Sequence, residues 1–213
     1  MPRNTPRFLP VALALSALAH SSFGQVCALG VRPTAYRSSF DQAPNTRATD
    51  ITQRVADGFK AVCAPKCPTV AIFSNTTARN ALVFASPGAM KIVYSPTFFS
   101  TVDARYGDDG FIGLVAHEYG HIIDSVAIGS WMNLAWTPEL RADAWAGCAL
   151  AKIKLKSPGL EKALTAMRPY PAEAKTIWAS RIPPLRAGYS QCGGATRDFD
   201  SSMATSNRLR NRN

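Results

Sequence analysis

Histidine is nearly absent from this chain, with three in 213 residues: His20, His117 and His121. Long apolar runs are scarce too. Beyond residue 24 no stretch approaches the run of about twenty apolar residues that a membrane-spanning helix needs. Acidic residues are few, 14 against 24 Lys and Arg. There is no internal repeat, no charge-dominated composition and no nucleic-acid-binding motif. These absences argue against a membrane-embedded protein, a repeat array and a site built from many histidines. They favour one domain with a sizeable core.

The one apolar run near the N-terminus, residues 8–19, follows Arg3 and Arg7 and precedes Ser21, Ser22, Phe23 and Gly24. A basic flank, a short apolar core and a small-residue exit make residues 1–24 a secretory signal peptide, with cleavage expected after Gly24 and, as the alternative, after Ala19. Its removal takes His20 with it and lowers the formal charge from +10 to +8. The expected location is therefore the bacterial periplasm or the exterior, as a soluble basic protein. Such a protein is suited to contact with anionic envelope surfaces.

Export permits disulfides among Cys27, Cys63, Cys67, Cys148 and Cys192, and the odd count leaves one thiol over. Cys63 and Cys67 lack a second cysteine pair or a nearby histidine, so they read as a local disulfide or loop rather than a metal site.

Periodicity predicts an amphipathic helix through Ile51, Val55, Phe59 and Val62, capped by Thr49 and Asp50. Three strands follow at 69–74, 81–85 and 90–94. Asn75, Thr76 and Thr77 spell a glycosylation acceptor but read as a turn between strands. After a short helix near Phe98 and Val102 and a break at 106–110, a long helix is expected over 111–128, ended by Gly129. The next helix spans 139–154, with Thr137 as cap and Pro138 in its first turn. Further helices are broken at 157–159, at Tyr170 and Pro171, and at Pro183 and Pro184. Residues 25–193 form the expected domain, and the polar, basic stretch 194–213 is expected to be disordered.

Within the long helix stand His117, Glu118, Tyr119, Gly120 and His121, the pattern H-E-x-x-H. Residues four apart share a helix face, so two imidazoles reach one metal ion while Glu118 stands beside them as a general base. Two nitrogen ligands, one more protein ligand and an open position describe a catalytic zinc site with one Zn2+ per chain. The third ligand is not a histidine, because none remains. Glu139 opens the next helix after a short connection and is the expected ligand. Asp143, four residues on, is placed to accept a hydrogen bond from a zinc histidine. Asp124, one turn beyond the histidines, is a weaker rival. Cys148 is nine residues past Glu139, which at about 100° per residue puts it across the helix.

These residues resemble the M48-type zinc metallopeptidases, in particular the small soluble gluzincins called minigluzincins. The likeness runs over roughly residues 69–153 and includes Asn80 and Ala81, Pro87 and Gly88, the strand Lys91, Ile92, Val93, Tyr94, and the run from Glu139 to Asp143, with Ala146 and Gly147. It implies an α+β, zincin-like fold, a small three-stranded sheet on the active-site helix with a mostly helical C-terminal half. It also implies a substrate laid along an edge strand, for which Lys91 to Tyr94 is the candidate. The segment from Ser180 to Arg186 lacks the histidine that the family carries before its proline, so stabilisation of the transition state falls to Tyr94, Arg181 or Arg186, to backbone donors, or to zinc alone. The expected activity is peptide-bond hydrolysis on a peptide or protein substrate. The competing readings are a secreted zinc-bearing binding protein without turnover and a zinc amidohydrolase acting on an envelope polymer.

Overall fold

A computed structural model describes residues 36–86, 89–127, 129–167 and 174–210. The signal-peptide segment, Cys27, the turn at Pro87 and Gly88, and the break at Tyr170 and Pro171 lie outside them. The described chain is α+β and mostly helical, with one mixed sheet.

The sheet has four strands rather than three: β1 (Asp41–Gln42), β2 (Ala71–Asn75), β3 (Ala81–Ser86) and β4 (Ala89–Tyr94), in the order β1-β2-β4-β3. β3 and β4 form an antiparallel hairpin, and β2 lies parallel to β4 on its other side. Lys91, Ile92, Val93 and Tyr94 are therefore central and hydrogen-bonded to both neighbours, not an edge. Among the described residues the long edge is β3.

The short β1 is held by a polar staple. The Lys91 ammonium donates to Asp41 at 2.6 Å and to the Tyr36 hydroxyl at 2.7 Å, and lies 5.1–5.5 Å from the ring centres of Tyr36, Phe73 and Phe84. Burial alone would raise the Asp41 pKa, but hydrogen bonds from Lys91, Asn75 and Tyr36 outweigh it and hold the carboxyl below the usual range. Asn75 is buried, its amide oxygen accepting from the Thr77 backbone at 2.8 Å, which fixes the turn expected there.

Helix α1 (Thr46–Cys63) starts earlier than expected because Asn45, not Thr49 or Asp50, is the cap, accepting from the Ala48 N–H at 2.7 Å. Its buried stripe is Ile51, Val55 and Phe59. Helix α2 (Pro96–Val126) begins behind Ser95 with proline in its first turn. It kinks at Gly107 (φ 64°, ψ −161°), the break read at 106–110. Beyond the kink the helix is buried on every side from Gly110 to Ile123, as a helix through the centre of a core must be.

Helix α3 (Pro138–Lys152) is capped by Thr137 as expected, and α4 (Gly159–Ala166) follows. Helix α5 (Ala174–Gln191) runs through Pro183 and Pro184 rather than breaking there. Packing on α3 overrides the lost donors: a Cβ on Gly188 would lie 1.8 Å from the Ala144 carbonyl oxygen, and one on Gly147 2.0 Å from that of Leu185. The two backbones thus meet at a distance only glycine permits. The Cys148–Cys192 disulfide, between residues 44 apart and buried at both ends, staples α3 to the segment after α5. Loop closure of that length is worth about 4 kcal/mol at most. Cys63 and Cys67 form the local disulfide expected of them.

The stretch expected to be a disordered tail is instead helix α6 (Thr196–Arg210). Phe199, Ser202, Met203 and Ser206 recur at three- and four-residue intervals and are buried, and Ser206 meets Thr165 of α4 at 2.8 Å.

Gly188→Ala is expected to destabilise the fold by about 1–3 kcal/mol through overpacking. Thermal unfolding checks this, with a fall of several degrees in Tm predicted for the variant.

Candidate metal centre

The buried leg of α2 brings His117 and His121 together, 1% and 2% exposed, their rings edge to face with centres 4.8 Å apart. Glu139 enters from the first turn of α3, where Thr137 and Pro138 fix the start of the helix. Its oxygens lie 3.4 Å from His117 Nε2 and 3.4 Å from His121 Nε2. One ligand atom from each residue falls within 4.8 Å of the others, so the three form a group that can hold a metal ion.

The spacing agrees with that use. Direct N–H···O bonds cluster at about 2.9–3.0 Å. Tetrahedral ligands about 2.0–2.1 Å from an ion stand roughly 3.3–3.4 Å apart. His121 adds a second sign, because neither of its buried ring nitrogens makes a hydrogen bond, an arrangement costing about 1–3 kcal/mol per group. Burial first, and the neighbouring His117 second, push the His121 pKa down to about 4. Its ring is therefore neutral near pH 7, the form that binds metal. Burial works to raise the Glu139 pKa, but the contact with His117 and the positive charge of Arg181 act against it, and the pKa stays below the ordinary value.

Behind His117 lies a buried polar chain spanning three helices. Asp143, one turn after Glu139 and with no exposure, sits with Oδ1 2.9 Å from His117 Nδ1. Arg181 of α5 clasps the same carboxylate with two nitrogens, Nε donating to Oδ2 at 2.6 Å, while Nη1 donates to the Met167 carbonyl at 3.2 Å. Arg181 Nη2 also approaches His117 Nδ1 at 3.1 Å. The carboxylate is the acceptor shared by both, so the consistent assignment gives His117 a proton on Nδ1 and leaves the Nε2 lone pair facing Glu139. Burial works against the Asp143 charge, but Arg181 outweighs it and keeps the group ionised.

Glu118 is wholly buried on the same helix, between the two histidines in sequence. Asp124 is turned away, accepting from Arg141 Nε at 2.9 Å with both oxygens, and does not join the ligand group. Cys148 is in its disulfide, clear of the site. The residues considered for transition-state stabilisation are engaged elsewhere. Tyr94 is 1% exposed, packed on Phe99 and Phe111, with its hydroxyl accepting from Asn45. Arg186 pairs with Asp200 on the surface, and Arg181 holds Asp143. The positioning task of Arg181 is what sequence reasoning missed. The available signal was indirect: a buried Asp143 requires a cation.

Replacing Arg181 with Met should leave Asp143 as an uncompensated buried charge and cost about 3–5 kcal/mol, with Arg181→Lys falling between. Urea denaturation of the three proteins measures the difference.

Against known proteins, no family model matches the chain, no curated protein matches it and no solved structure matches it.

Proposed function

We propose that this chain is an exported zinc metallopeptidase of the gluzincin type, with a zincin-like arrangement of sheet and helices. The observation that carries the proposal is the convergence of His117, His121 and Glu139, with Asp143 against His117 and a wholly buried Glu118 next to His117 on the same helix. Two imidazoles and one carboxylate match the donor set of a catalytic rather than a structural zinc site. Zinc held there supplies Lewis-acid polarisation of a carbonyl and acidifies water.

The chain's own residues do the rest. Glu118 takes a proton from the attacking water on its carboxylate and returns it to the departing amine. Asp143 and Arg181 keep the His117 ring in one tautomer and orientation through the cycle. An extended peptide is suited to the β3 edge, where backbone groups of Ala81–Ser86 offer strand-like pairing. Two disulfides agree with export to an oxidising compartment. The excess of cations suits substrates near anionic envelope polymers, and an amide within such a polymer is the second reading of the same chemistry.

Glu118→Gln should retain one zinc per chain and lose hydrolysis by about 10²–10⁴-fold, whereas Glu139→Ala should weaken zinc binding. Metal analysis with a peptide-library assay measures both. Full activity in Glu118→Gln contradicts the mechanism. Stoichiometric zinc with no turnover of peptides or envelope amides by the wild type identifies a binding protein instead.

A further inference from the structure

The two ligand-bearing helices are joined directly by residues 127–137, and this connection has an unusual surface. From 125 to 138 the sequence holds no Asp, Glu, Lys or Arg, yet it contains two of the four tryptophans, Trp131 and Trp136. Leu134 is 73% exposed and Val126 45%, two of the three most exposed large apolar side chains among the described residues.

Residues 129–137 are also held in place. Met132 is buried, and Trp131 packs edge to face on Trp145 with ring centres 5.4 Å apart. Backbone bonds link Met132 to Gly129 at 2.9 Å and Trp136 to Asn133 at 3.0 Å. The Trp136 carbonyl accepts from Arg141 at 2.6 Å, and Arg141 is itself fixed by Asp124. Leu134 is thus presented to solvent from an anchored loop. It stands five positions before Glu139, at most about 17 Å of chain, so a peptide of about five residues seated at the metal centre can reach it.

We propose that Leu134, the most exposed large apolar side chain among the described residues, determines specificity by receiving an apolar side chain near the scissile bond. This rests on the peptidase reading above. The stretch offers no counter-ion to a charged side chain, so Asp, Glu, Lys and Arg are disfavoured there, while an apolar side chain gains contact area and removes that of Leu134 from water.

The test uses the zinc-loaded mature chain and a peptide set varying only in the residues flanking the cleaved bond, Leu and Phe against Asp and Lys. Wild type is expected to favour the apolar peptides. Leu134→Asp should lower kcat/KM for them by about tenfold or more and improve the relative rate on Lys peptides, with zinc content and Tm unchanged. Leu134→Met should keep the preference. In a Glu118→Gln background, tryptophan fluorescence titration with the Leu peptide should show binding weakened about tenfold by Leu134→Asp.

An unchanged preference in Leu134→Asp overturns the inference while leaving the peptidase reading intact. So does a variant that loses only co-sedimentation with phosphatidylglycerol vesicles, which would make the loop a membrane contact. If wild type cleaves no peptide and Glu118→Gln binds none, the peptidase reading itself fails, and this inference with it.

Discussion

Asp143 is a carboxylate with no access to water in the middle of a helical core, and such a group stays ionised only where cations and hydrogen-bond donors surround it. Arg181 and His117 supply them from α5 and α2. That contact locks the relative positions of three helices and also sets which nitrogen of His117 faces Glu139. Fold and site are therefore coupled through one buried interaction. A shift of α5 would release Arg181, leave Asp143 uncompensated and loosen the imidazole that it orients.

The close approach of the helices makes the contact possible. Gly147 and Gly188 let α3 and α5 meet backbone to backbone, bringing an arginine on one within reach of an aspartate on the other. Gly120, inside the H-E-x-x-H pattern, does the same between α2 and α3: a Cβ there would lie 2.5 Å from the Ala142 carbonyl oxygen. Glu139 can face the histidines because α3 begins one helical turn before this contact. The Cys148–Cys192 disulfide ties α3 to the segment after α5, four residues beyond the Ala144–Gly188 contact on both sides, so covalent and steric constraints act on the same pair of helices.

The candidate site was legible in the sequence because helical spacing converts directly into shared faces. His117 with His121 and Glu139 with Asp143 are each four apart, and the lack of other histidines pointed to a carboxylate as the third ligand. What was not legible arises from tertiary choices. Alternation of residues along a strand does not encode its neighbours, so the parallel pairing that puts Lys91 to Tyr94 at the sheet centre was hidden. Helix α6 was masked by its polar composition, since among the described side chains two of the four buried on its packed face are serines. Pro183 and Pro184 read as breakers because local propensity cannot register the glycine contact holding α5 in place. Arg181 carried no periodic signal, and its role follows from what Asp143 requires.

The central claim is that His117, His121 and Glu139 share one metal ion. An anomalous-difference map from crystals of the full chain, recorded on either side of the zinc absorption edge, tests it most directly. The account predicts a single zinc peak within about 2.0–2.2 Å of both Nε2 atoms and a Glu139 oxygen, with His117 Nδ1 still on Asp143. A zinc-supplemented crystal with no peak there, and with Glu139 hydrogen-bonded directly to a protonated histidine, would contradict it.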